Sequence, residues 1–98
     1  MLKPGKGAHL TLTQSMIDFL QGAMADLDAA YDAQDVDDDN CKDIVKRLSE
    51  ADDWTKTKDD FGTKVWKAMT SGRGEVRIAL VMTEAGNLRL DVRQWYED

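Results

Sequence analysis

The chain has 98 residues, 42% of them hydrophobic, with three Trp and a formal charge of −6. That length supports one domain, 1–98, with a single modest core; the composition excludes a disordered chain, and no run approaches the ~20 apolar residues of a membrane span. A net negative charge first argues against nucleic acid, since polyanion binders are usually basic, but residues 32–60 hold 11 acids against five bases while the rest balances eight against eight, so a basic face outside the central block stays open.

Residues 1–31 read as a strand followed by a helix. "LKPGKG" has the composition of a turn, with Pro4 fixing φ and two glycines tolerating positive φ. Two lysines without an apolar stretch behind them give no signal peptide. "HLTL" alternates, with Leu10 and Leu12 on one side, and predicts a short strand. Thr13 is placed to cap a helix over "QSMIDFLQGAMADLDAAY". Ile17, Leu20, Met24, Leu27 and Tyr31 recur at helical spacing, and Phe19, Ala23 and Ala30 widen the stripe. A stripe this wide is either core or a seam between the helices of two chains, and pattern does not choose between them.

Residues 32–61 form an acidic linker with a short helix in it. "DAQDVDDDN" reads as solvated linker. Asp35, Asp37 and Asp39 suggest a calcium loop, but the sixth position is Asn40 instead of glycine and the twelfth is Lys46 instead of glutamate, so that reading is rejected. "NCKDIVKRLSEADDW" places Ile44, Val45, Leu48 and Trp54 for a short amphipathic helix, and "TKTKDDFG" reads as loop. Cys41 is the one cysteine, which excludes an intramolecular disulfide and fits a reduced thiol in a cytoplasmic protein.

Residues 62–98 read as a three-stranded antiparallel meander: "TKVWKAM", the turn "TSGRG", "EVRIALVM", the turn "TEAGN", then "LRLDVRQWYE". Val76, Ile78, Leu80 and Met82 share one face, as do Leu88, Leu90 and Val92. The opposite faces carry Arg77, and Arg89, Asp91, Arg93 and Trp95. No nucleophile–base spacing, phosphate-cradling glycine motif or metal-spaced His/Cys cluster is present, and His9 stands alone. An enzyme, a cofactor and a metal are therefore not expected. Cationic side chains beside aromatic rings are what unpaired nucleic acid needs, for its phosphates and its bases respectively. Lys3 and Lys6 on a nearby loop would add to Arg77, Arg89, Arg93 and Trp95. The plainer reading is a solvated sheet face with Arg–Asp pairs across strands, Asp91 being the partner.

"GEVRIALVMTEAGNLRLDVRQWYED" resembles the two central strands of the positive cofactor four family, the homodimeric single-stranded-DNA-binding transcription coactivators and their bacterial and phage relatives. In that family a strand of "EVR" type leads through a glycine turn to "DIR", two aromatics and acids, and the chain continues through "KPG-K-G" into an amphipathic helix. Here "MLKPGKG", "LTL" and the helix through "ADLDAAY" stand at the other end of the chain. The sequence thus looks like a circular permutation of the family's order, with 32–62 outside the resemblance.

The resemblance implies an α+β fold: a four-stranded curved antiparallel sheet and one long amphipathic helix, in the order β-α-linker-β-β-β. It further implies a homodimer through Ile17, Leu20, Met24, Leu27 and Tyr31, and channels for single-stranded DNA. Carried over by position, Arg77, Arg93, Lys3 and Lys6 match the family's basic positions, and Trp95 and Tyr96 match its aromatic pair. Tyr96 takes the place of the base-stacking ring, whereas alternation puts Trp95 on the arginine face; a bulge would reconcile the two. The turn at Glu84, Ala85, Gly86 and Asn87 departs from the family by lacking an aromatic and lysines. Lys64, Trp66, Lys67 and Arg73 either compensate or are ordinary strand and turn positions.

The expected function is sequence-tolerant single-stranded DNA binding in replication, recombination or transcription, in the cytoplasm of a bacterium or a phage-infected cell. The alternative is a protein-interaction module of this fold that no longer binds DNA. The acidic segment 32–60 is expected either to compete with DNA for the protein's own basic face or to meet a protein partner.

Overall fold

The computed structural model describes residues 2–5, 10, 12–32, 41–59, 62–83 and 87–97, the side chains at 41–43 and 59 excepted. The elements in chain order are β1 (Leu2–Pro4), α1 (Gln14–Asp32), α2 (Cys41–Ser49), β2 (Thr55–Asp59), β3 (Gly62–Ser71), β4 (Gly74–Met82) and β5 (Leu88–Glu97). The strands form one curled antiparallel sheet in the order β1-β5-β4-β3-β2. The architecture is α+β, as the sequence predicts, but the sheet has five strands where four were expected.

Three local readings change. Leu10 and Leu12 lie in no strand, and His9 and Thr11 fall outside the described residues. The N-terminal strand is instead Leu2–Pro4, in the stretch read as a turn; it pairs with Trp95–Glu97, with Leu2 opposite Glu97 and Pro4 opposite Trp95. Proline is tolerated there because β1 is an edge, and the Gly5 N–H extends the ladder by donating to Gln94 O at 2.8 Å. "TKTKD", read as loop, is the opposite edge strand, with Thr55 facing Trp66 and Asp59 facing Gly62. Its lysines are the kind of residue that guards an exposed sheet edge.

The helices form as their sequences direct. Thr13 caps α1: its Oγ1 accepts the Met16 N–H at 3.2 Å and its carbonyl accepts the Ile17 N–H at 3.0 Å. The hairpin between β3 and β4 closes on a two-residue loop, Gly72-Arg73, with Ser71 opposite Gly74. Gly72 supplies φ of +59° at the first central position, where a tight hairpin turn wants glycine. Gly74 is fixed by space: a Cβ there would stand 1.9 Å from Trp95 O.

The core lies between the helices and one face of the sheet. Ala23, Leu27 and Ala30 of α1, Ile44, Val45 and Leu48 of α2, and Trp54 are buried against Val65, Ile78 and Leu80, with Phe19, Leu20, Met82, Leu88 and Val92 packed around them. The acidic block is therefore only partly a linker. Its α2 and Trp54 are core, and its β2 belongs to the sheet, while residues 33–40 lie outside the described residues. One polar clamp joins three elements on this side: Asp26 of α1 accepts the Trp54 Nε1–H at 2.8 Å and Lys67 Nζ of β3 at 3.3 Å. Asp53 stands 3.7 Å from the same ammonium.

Candidate nucleic-acid interface

Strand geometry decides which residues share the face away from the helices. Successive side chains on a strand point to opposite faces, and paired residues on neighbouring strands share a face. Since Ile78 and Leu80 meet the helices, Glu75, Arg77, Ala79 and Val81 point away. Through the register, so do Thr57 of β2, Lys64 and Trp66 of β3, Arg89, Asp91, Arg93 and Trp95 of β5, and Pro4 of β1. The curl of the sheet makes this face concave, and ten of these side chains line a cavity of about 690 Å³.

At its centre Arg77 of β4 lies between two indoles, one from each neighbouring strand. Its guanidinium carbon is 4.1 Å from the ring centroid of Trp66 and 4.1 Å from that of Trp95. Neither Trp is directly opposite Arg77. Ala68 and Arg93 hold those positions, and the Trp side chains reach in along the diagonals, a distance that long side chains span. Each such contact is worth roughly 0.5–2 kcal/mol. Arg77 Nε also donates to Glu75 Oε1 at 2.5 Å. The result is an arginine oriented on both faces and at one edge.

Arg93 is held differently. Its Nε donates to Asp91 Oδ1 at 2.7 Å and its Nη2 to Asp91 Oδ2 at 2.5 Å, a two-point pair along one strand. The Asp91 hydrogen bond raises the Arg93 pKa further above its ordinary value, its charge adds to that, and partial burial opposes it. Arg93 stays cationic throughout the accessible pH range. Arg89 is exposed on the same face and makes no ion pair among the described residues. The face thus carries Lys64, Arg77, Arg89 and Arg93 against Glu75 and Asp91.

Not every candidate joins this group. The β4–β5 ladder runs without a bulge from Gly74 opposite Tyr96 to Met82 opposite Leu88, so Trp95 is on the concave face and Tyr96 on the reverse. Lys3, opposite Tyr96, is on the reverse as well. Lys67 points to the helices and is engaged by Asp26 and Asp53. Arg73 is exposed in the β3–β4 turn, and Lys6 lies outside the described residues. Glu75, which sequence reasoning passed over, was accessible to it: alternation from Arg77 puts the two on one face.

The apolar stripe of α1 divides in two. Leu27 is buried and Leu20 packs against the core, whereas Ile17, Met24 and Tyr31 are 37%, 50% and 50% exposed. These three recur at seven-residue intervals, and Met24 and Tyr31 line a groove of about 720 Å³ with Leu88 and Leu90 of β5. Among the described residues no cluster of three or more His, Cys, Asp or Glu could hold a metal, and no helix is long and apolar enough to cross a membrane. Comparison of the chain with protein-family models, with curated proteins and with solved structures finds no match.

Proposed function

We propose that the concave face binds single-stranded DNA with little sequence preference. The observation that carries this reading is the Trp66–Arg77–Trp95 stack, flanked on the same face by Lys64, Arg89 and Arg93. Indole faces stack on any unpaired base, and cations along a groove follow its phosphates. A duplex hides its bases and would meet only the charges. The chain is, on this reading, a permuted relative of the positive cofactor four family. Supporting that, Leu2–Pro4 run antiparallel beside Trp95–Glu97, so a single turn would connect the two segments in the family's order.

The test is a tryptophan-fluorescence titration with oligo-dT of about 20 nucleotides at low and moderate salt. Trp66 and Trp95 should be quenched on binding, while buried Trp54 supplies a constant background. Four cations give a salt slope no steeper than about −3, at ~0.7 per phosphate on a single strand. Absence of quenching at low salt in the folded protein would overturn the proposal. The protein-interaction reading would then take its place, favoured by the fact that Arg77 and Arg93 already hold carboxylates.

The same reading includes a homodimer through the exposed half of the helix stripe, Ile17, Met24 and Tyr31. Met24→Glu would place an unpaired charge in that seam and should weaken association by about 3 kcal/mol, roughly a hundredfold. Sedimentation equilibrium checks this. A wild-type protein that sediments as a monomer at all concentrations would remove the dimer from the proposal.

A further inference from the structure

Asp91 lines the cavity, and Glu75 stands on the same face one residue from the β3–β4 turn, two acids on a face otherwise built for a polyanion. Each bonds the arginine two residues further along its own strand, Glu75 to Arg77 Nε and Asp91 to Arg93 Nε and Nη2. A carboxylate accepting from a guanidinium occupies the donors a phosphate would use and cancels most of the charge a phosphate would feel. Arg77 and Arg93 are both shielded in this way, which lowers the positive charge that the face offers to a passing polyanion. The indoles are untouched by this shielding, since a base stacks on a ring whatever the charge beside it.

We propose that Glu75 and Asp91 are specificity-determining residues that hold the affinity of this face for phosphate chains below what charge alone can sustain, so that only a ligand supplying stackable rings as well as phosphates binds. The proposal rests on the single-stranded DNA reading and adds to it what the site refuses: polyphosphate, sulfated polysaccharide and the outside of a duplex. Glu75→Gln keeps the single acceptor that Arg77 Nε uses and removes the charge, which separates shielding from mere orientation; Asp91→Asn keeps one acceptor of the two-point pair and gives up the other together with the charge.

The experiment compares the wild-type protein with Glu75→Gln and Asp91→Asn, each shown to be folded by circular dichroism, in titrations with inorganic polyphosphate and with oligo-dT. Each substitution should tighten polyphosphate binding about three- to tenfold at low salt, as expected for one charge removed at a few ångströms in a partly solvated site. Each should also steepen the oligo-dT salt slope by ~0.7. Unchanged or weaker polyphosphate binding in both variants overturns the proposal and makes the carboxylates orienting groups only. Failure of wild-type protein to bind oligo-dT would sink the DNA reading. The polyphosphate comparison would still report on the shielding, so the two failures are distinguishable.

Discussion

Arg77→Ala should lower the affinity for a 20-nucleotide oligo-dT by about 2–3 kcal/mol, roughly 30- to 150-fold. Three losses contribute. The central cation disappears, and with it the charge that a phosphate near the stack would feel. Trp66 and Trp95 each lose the guanidinium 4.1 Å from their ring centres, so two rings presented in fixed positions become free to move, and ordering them again weakens stacking. Glu75 is left without its partner at 2.5 Å and now repels the strand. Arg77→Lys restores the charge but not the flat group that both indoles cover, and should recover only part of the loss. Combining Arg77→Ala with Glu75→Gln removes the stranded carboxylate and should likewise recover part of it. Wild-type affinity in Arg77→Ala would mean that DNA, if it binds, binds elsewhere.

The strands that sequence made legible are those where period-two alternation coincides with burial. Val76, Ile78, Leu80 and Met82 alternate with polar or small residues because one face of β4 meets the helices, and β5 repeats the pattern. Strand β2 has the same period, but Thr55 and Thr57 alternate with Lys56 and Lys58. An edge strand with no apolar face gives no hydrophobic signal, so it reads as loop. Strand β1 is harder still: three residues containing a proline are strand only because Trp95–Glu97, more than 90 residues away in sequence, offer them a partner. Local pattern carries no information on such a pairing.

The candidate site was half legible for the same reasons. Arg89, Arg93 and Trp95 share a face by alternation within one strand, and the same rule separates Lys67 from Trp66 and Tyr96 from Trp95. What alternation cannot supply is the meeting of Trp66, Arg77 and Trp95, which needs the registers of three strands. One of those registers was nonetheless written in the sequence. A two-residue turn at Gly72-Arg73 puts Ser71 opposite Gly74, and counting back along both strands brings Trp66 opposite Ala79, one diagonal from Arg77. The β4–β5 register depends on a longer connection through residues 84–86 and could not be counted in this way.

Trp54→Ala should remove about 3–5 kcal/mol of folding stability, in line with truncating a buried tryptophan. Domains of this size have only about 5–15 kcal/mol in total, so the variant should be close to unfolded at physiological temperature. Trp54 is 5% exposed and shares a core with Ile44, Val45 and Leu48 on one side and Val65, Ile78 and Leu80 on the other. Its indole N–H also holds Asp26, which ties α1 to β3 through Lys67. Trp54→Phe keeps much of the apolar volume and loses that hydrogen bond; because Asp26 retains Lys67, the variant should lose only about 1–3 kcal/mol. Urea unfolding followed by far-ultraviolet circular dichroism measures both, and a loss below about 1 kcal/mol in Trp54→Ala would contradict the packing of residues 41–54 on the sheet. The same packing decides how the acidic block has to be probed. Replacing 33–60 wholesale with a neutral linker would take out Ile44, Val45, Leu48 and Trp54 together with the acids, and any change in DNA affinity would reflect a lost core. Neutralising exposed acids such as Glu50 and Asp52 one at a time leaves the apolar side of the block and the Lys67 clamp in place, and only then does a gain in affinity report on charge.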